Sequence, residues 1–439
     1  MTSLLAQGRQ SPWVLAVFAL YLGTGLAGSS WLTRIPTIAQ SLDLGPAALG
    51  ALLLTQTAAA FGSVSFSGVI VLRLGVRRTV AVCSIMVAAG LVLLGVGVSV
   101  WVSLPVVVGG MLLCGLGSAT WNVASNVEGT ALEQSLGRSI MPMMHGFFSV
   151  GTVLGAVVGA IAAASSVSLA WHLGVVSMVI VLAMALALPR LQGGTSGDAG
   201  NARSVEPHPV SSQMPVITGT LPAVNNPGPA GGTDGTPVRS PGGVLAAWKR
   251  PRTLLVGLFV LGMALTEGAA NDWVALALTD GYGASAAVGA LGYGIFVAAM
   301  TTGRMSGTWL IDRYGRITVL RAACVLALVG LAVFVFSPST TVGLCALLLW
   351  GLGASLGFPV GMSAAADDSA QAAANVSVVS TIGYAAFLGG PPLLGLVGEV
   401  IGVREALGLV MFFVALSFAL IPWLRPPGAT AASDTSHAG

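Results

Sequence analysis

Apolar stretches separated by polar or Gly/Pro punctuation recur along the chain near residues 12–32, 46–71, 79–99, 103–126, 140–163 and 169–188. After a polar interval the pattern resumes near 253–277, 285–310, 317–336, 341–364, 373–397 and 405–424. A helix rising 1.5 Å per residue needs about 20 predominantly apolar residues to cross a bilayer, and each of these runs is of that order. The pattern therefore predicts an all-α membrane protein: twelve transmembrane helices in two pseudo-symmetric six-helix bundles. The first run resembles a signal peptide in length, but Trp31 to Pro36 supplies no small-residue cleavage site, so it is read as a retained first helix.

The interval between the two sets divides the chain. Residues 1–189 form the expected N-terminal bundle and 251–425 the C-terminal one. Residues 190–250 are rich in Gly, Pro, Ser, Thr and Asn with almost no periodic apolar content, which predicts a flexible cytoplasmic linker. Residues 426–439 read as a disordered tail.

Composition strengthens the membrane reading. The 439 residues include 18 Lys and Arg and 15 Asp and Glu, where a soluble chain of that length would carry about 110 charged residues. Neither a soluble enzyme nor a nucleic-acid binder fits, because the net charge of +3 is small and the basic residues are scattered. Cys83, Cys114, Cys324 and Cys345 lie in apolar runs without metal-ligand spacing, so no metal, disulfide or cofactor is expected. No nucleophile and base pair or phosphate-cradling loop accompanies them, and the chain is expected not to be an enzyme. With a cytoplasmic N-terminus, all but three of the 18 basic residues fall on the cytoplasmic side; Arg34 and Arg404 sit at outer ends and Arg304 within a span. The positive-inside rule then predicts that both termini face the cytoplasm; a multi-pass protein of the cytoplasmic membrane, monomeric, is expected.

The two halves also repeat. RLGVRR (Arg73 to Arg78) between spans two and three recurs as DRYGR (Asp312 to Arg316) between spans eight and nine, and Gly115–Leu116–Gly117 in span four recurs as Gly351–Leu352–Gly353 in span ten. Two equivalent six-helix halves are the plan of secondary carriers that rock about a midplane site. At these residues the chain resembles the major facilitator superfamily, whose loop signature reads roughly G-x-x-x-D-R-x-G-R-R. The second copy keeps Asp312, Arg313, Gly315 and Arg316, while the first has Leu72 where the Asp is expected. WLTRIP (Trp31 to Pro36), NVEGTALE (Asn126 to Glu133), MMHGFFSVG (Met143 to Gly151), EGAANDW (Glu267 to Trp273) and GYAAFLGGPP (Gly383 to Pro392) are similar to a bacterial branch akin to fucose permeases.

The loop arginines Arg73, Arg77, Arg78, Arg313 and Arg316, with Asp312, share a side with Glu128 and Glu133 after span four and with Asp367 and Asp368 after span ten. That set predicts a cytoplasmic gate latching the two halves. Arg304, about 12 Å along its helix from Asp312, is placed with the gate rather than the midplane. Solvated topology arginines, and a capping box of Asp368 with Gln371 for span eleven, are the alternative.

Glu267 falls near the middle of span seven, where a carboxylate is costly unless paired or hydrated, and is therefore the first candidate for proton coupling. His145, one turn into span five, is the second, with a packing histidine as the competing reading. Asn271 one turn beyond Glu267, then Asp272 and Trp273, would offer an amide, an acid and an aromatic wall to one cavity. Asn122 and Asn126, spaced i and i+4 on span four, together with Gln56 and Tyr293, complete the candidate substrate-binding set, against interhelical hydrogen bonding.

These features predict a secondary active transporter moving a small neutral polar or cationic solute by alternating access, coupled to a proton and working as an uptake system. The preference for that solute class rests on midplane acids without a midplane arginine. Proton-driven efflux of a small amphipathic compound, or a non-transporting ligand sensor of the same fold, is the alternative.

Overall fold

The computed structural model describes residues 11–137, 140–192, 246–368 and 371–425. Most of the predicted linker and the tail at 426–439 lie outside the described residues. Among the described residues, twelve helices are long and apolar enough to cross a membrane, and they identify a multi-pass membrane protein. Spans one to six are Pro12–Leu32, Pro46–Leu74, Val76–Ser99, Leu104–Leu136, Met143–Ala164 and Leu169–Arg190. Spans seven to twelve are Pro251–Gly281, Ala286–Tyr314, Arg316–Phe336, Thr340–Ala365, Ala372–Ile401 and Val403–Leu424.

Local chemistry starts these helices where the punctuation places them. Prolines occupy the first helical position of spans two and seven and the second of span four, where their missing N–H costs nothing. Ser168, Ser285 and Ser339 cap spans six, eight and ten by accepting from the N–H groups of Trp171, Val288 and Val342. Span four runs ten residues past the expected end at 126, so Glu128 and Glu133 lie on its helix rather than after it. Span ten breaks at Ser355–Leu356 into Thr340–Ala354 and Gly357–Ala365. The predicted capping box at span eleven does not form: Gln371 is its N-cap and no side chain caps it. Large apolar residues such as Phe66, Leu72, Met178 and Phe412 stay exposed, as expected where the surrounding solvent is hydrocarbon.

The repeat read from the loops is a repeat of packing. Span one packs on five and six as span seven packs on eleven and twelve. Span four packs on two and three as span ten packs on eight and nine. A Cβ on Gly115 or Gly351 would run into the carbonyl of Gln56 or Phe296 respectively, so glycine lets each helix pair approach backbone to backbone. Gly75 (φ 76°, ψ 158°) and Gly315 (φ 79°, ψ 152°) end spans two and eight in nearly the same conformation, one that L side chains rarely adopt.

Between the halves, span two meets eleven and span five meets eight, the two contacts that a pseudo-two-fold axis exchanges. One end of the bundle, here the terminal face, carries Pro12, Arg190, Pro251 and Leu424; the opposite end is the distal face. The contacts across the halves gather toward the distal face. Gly50 packs on Pro391 and Pro392, Gly395 packs on Pro46, and the Ala47 N–H donates to Glu399 Oε2 at 3.1 Å. The short helix Ile35–Ser41 after span one lies against spans seven and eight at the same end.

Candidate functional site

Glu267 occupies the middle of span seven and is fully buried. Its Oε2 accepts from Arg304 Nη2 at 2.8 Å, while Oε1 has no hydrogen-bond partner among the described residues. Arg304 Nε also donates to the Ser355 carbonyl at 3.4 Å, where span ten breaks. Arg304, expected at the gate, therefore belongs to the centre of the C-terminal half. Its backbone does sit toward the terminal face, but a long guanidinium side chain can extend along the helix and keep only its head at the charge it serves. The expectation of a midplane without arginine is corrected with it: Glu267 has a counter-ion.

His145 approaches this pair from the other half. Its ring lies edge-on to Tyr21 with centroids 5.1 Å apart, and it is within electrostatic reach of Arg304. Nδ1 of His145 is buried without a partner. Asn126 accepts from the Tyr21 hydroxyl at 2.8 Å, which ties span four to span one within the N-terminal half. Asn122 is buried one turn away on span four. Tyr293 is fully buried on span eight; its hydroxyl makes no conventional hydrogen bond but lies near Ser29 of span one and feels the charges of Glu267 and Asp272.

A cavity of about 60 Å³ lies nearer the distal face, between the two halves. Gly28 and Trp31 of span one and Gln56 and Thr57 of span two line one side; Asn271 and Asp272 of span seven and Phe387 of span eleven line the other. Asn271 is 6% exposed, and its Oδ1 is buried without a partner. Asp272 is in no ion pair among the described residues. Glu267 is not on this cavity, although it shares a helix face with Asn271, because its carboxylate is drawn to Arg304.

Trp273 is not on the cavity either, contrary to the expected aromatic wall. Successive helical side chains turn by about 100°, so Trp273 projects to the far side of its helix from Asn271, where it is 1% exposed in the core. Trp31 and Phe387 supply the aromatic surface instead. Of the residues sequence reasoning did not select, Tyr21, Trp31, Thr57 and Phe387 are the consequential ones. Trp31 and Phe387 fall inside segments already singled out for their family resemblance, whereas nothing local marks Tyr21 or Thr57.

The gate residues form two same-half clusters at the terminal face. Asp367 accepts from Arg316 at 2.7 and 3.1 Å and from Arg252 at 3.3 Å. Arg316 and Arg252 also donate to the carbonyls of Leu424 and Arg425, fastening the end of span twelve. In the first half Arg77 does the same for span six, donating to the carbonyls of Pro189 and Leu191 at 3.0 and 2.7 Å. Glu128 accepts from Trp13 Nε1 at 2.7 Å and from the Gln192 N–H at 2.8 Å, and Glu133 accepts from the N–H groups of Ile140 and Met141 at the start of span five. These bonds staple helix ends within a half. Arg73, Arg78, Asp312 and Arg313 are exposed at this face, and Asp368 is half-buried.

Residues 13–391 match the family profile of the Major Facilitator Superfamily. An uncharacterised MFS-type transporter of Yersinia pestis is 26% identical over 392 residues, covering 88% of this chain and 89% of that protein. Membrane protein MosC of Rhizobium meliloti is 27% identical over 406 residues, covering 92% of this chain and 87% of that protein. Among solved structures, the nucleoside transporter NupG superposes with a TM-score of 0.64 at 16% identity, over 94% of this chain and 99% of that one. The E. coli fucose:proton symporter FucP superposes with a TM-score of 0.58 at 16% identity, over 94% of this chain and 98% of that one.

Proposed function

The chain belongs to the Major Facilitator Superfamily, and we propose that it is a proton-coupled carrier taking up a small polar solute, neutral or cationic, by alternating access. The observation that carries this reading is the cavity beneath the distal contacts, to which both halves contribute polar groups: Gln56 and Thr57 from one, Asn271 and Asp272 from the other. A site shared between two rocking halves is exposed to one side of the membrane and then to the other as they move. Membership of the family supports a secondary transporter, and solute and coupling ion are read from the site.

Polarity of the spans follows from their charges. The positive-inside rule puts the terminal face, with Arg73, Arg77, Arg78, Arg313 and Arg316, in the cytoplasm. The distal contacts then close the outer side, and the state described is closed to the exterior.

In this reading Glu267 carries the coupling proton. Arg304 is bonded to the Glu267 carboxylate, and a proton taken up by that carboxylate breaks the ion pair and frees the guanidinium. His145, facing Arg304 from the opposite half, reports the position of that half to the pair. The similarity to a structure described as a fucose:proton symporter is consistent with proton coupling.

The test is reconstitution in proteoliposomes with a panel of labelled polar solutes, with and without an imposed pH gradient. Accumulation of one solute that collapses with an uncoupler supports the reading. Facilitated equilibration indifferent to pH would remove the proton, and no transport of any solute in either direction by well-folded protein would remove the carrier assignment.

A further inference from the structure

Within the cavity, charge is lopsided. The polar side chains on it are a carboxylate (Asp272), two carboxamides (Asn271 and Gln56) and one hydroxyl (Thr57), and no lysine, arginine or histidine is on its lining. Thr57 already spends its proton on the Leu53 carbonyl at 3.2 Å, which leaves its oxygen free only to accept. Asn271 has a buried Oδ1 that accepts no hydrogen bond among the described residues. Arg304 is too committed to supply the missing charge, since it is paired with Glu267 away from this lining. A carboxylate held between halves beside carboxamides, which donate as well as accept, and with no cationic side chain on the lining lacks a compensating positive charge.

The remaining wall is aromatic. Trp31 and Phe387 come from opposite halves, and aromatic rings attract cations, most strongly where water is excluded. Gly28 completes the space: a Cβ there would meet nothing within 4 Å, so the missing side chain leaves room.

We propose that the Asp272 cavity binds a monovalent cationic group, the ammonium head of an amine-bearing solute, with Asp272 as its counter-ion and Asn271 and Gln56 as acceptors. This rests on the carrier reading above and narrows its solute class. Acceptors from both halves close on the ammonium group when the distal contacts form and part from it when they open, so the group's binding is tied to the transport cycle. A free sodium ion would use the same chemistry, and the test separates the two sources.

The full-length protein, purified in detergent, is melted at constant ionic strength with tetrapropylammonium chloride, a cation without N–H groups and too bulky for a cavity of about 60 Å³, replaced stepwise by methylammonium chloride or by sodium chloride. Methylammonium is expected to raise Tm saturably by about 2–4 °C, with no such rise in Asp272→Asn. Gly28→Ala keeps the carboxylate and places a methyl group in the open space; it should melt like the parent in tetrapropylammonium yet need roughly tenfold more methylammonium. That second variant decides the matter if Asp272→Asn fails to fold. A rise with sodium and none with methylammonium would overturn the amine and assign the cavity to a coupling ion. No rise with either cation, or an equal rise in Asp272→Asn and Gly28→Ala, would overturn the cation site altogether. Transport by the parent in proteoliposomes is measured in parallel, so a carrier that works without cation binding loses only this assignment.

Discussion

Arg304 donates to Glu267 at 2.8 Å from the adjacent span of the same half. A rigid rocking of the halves therefore moves the two as a unit and does not by itself separate them. What changes during such a motion is the approach of His145, which belongs to the other half. In the proposed cycle, proton uptake at Glu267, rather than mechanical separation, is the event that releases Arg304.

Removing one member of this pair strands the other in a buried setting. Glu267→Gln and Arg304→Gln should each destabilise the purified protein, on the order of 3–5 kcal/mol by the behaviour of broken buried ion pairs. The double variant should recover a large part of that loss, and unfolding measurements arranged as a double-mutant cycle read the coupling. Additive losses in the cycle would show that the two side chains do not depend on one another.

Transport separates the candidates for the proton. Glu267→Gln keeps the size and hydrogen bonding of the side chain but cannot titrate, so it should lose accumulation driven by a pH gradient while retaining solute exchange. His145→Ala should leave the ratio of protons to solute unchanged. A Glu267→Gln protein that still concentrates solute like the parent would assign the acid to structure alone.

The contact of spans five and eight can be locked. A Cβ on Gly294 would lie 3.5 Å from the Cβ of Ala156, within the range that a disulfide spans. Oxidation of an Ala156→Cys, Gly294→Cys protein should stop transport and reduction should restore it. Full activity of the cross-linked protein would mean that this contact need not part during the cycle.

Gly75 and Gly315 turn the chain in backbone conformations open essentially to glycine alone. Alanine at either position should cost about 1–3 kcal/mol, visible as a lower Tm. The two losses should be similar because the turns are. A neutral effect at both positions would indicate that the loops relax without strain.

The chain's own order of residues determined its division into twelve spans, their pairing into two halves and the acid in the middle of span seven. Those properties are local: span length follows from an unbroken apolar run, and a buried carboxylate is conspicuous in any such run. Arg304 was equally visible as a charge inside a span, yet its partner was not, because Glu267 and Arg304 are far apart in the chain and meet through the packing of spans seven and eight. The same holds for the gate residues, whose acids and arginines share a face in sequence but bond within each half once the helix ends are placed. Trp273 and Trp31 make the case most simply. Both are tryptophans near the distal end of a span, and only the rotation of each helix against its neighbours turned the first into the core and the second onto the cavity. Hydrophobicity sets which segments leave water; the azimuth of each helix is set by interdigitation with other helices, and no single segment encodes it.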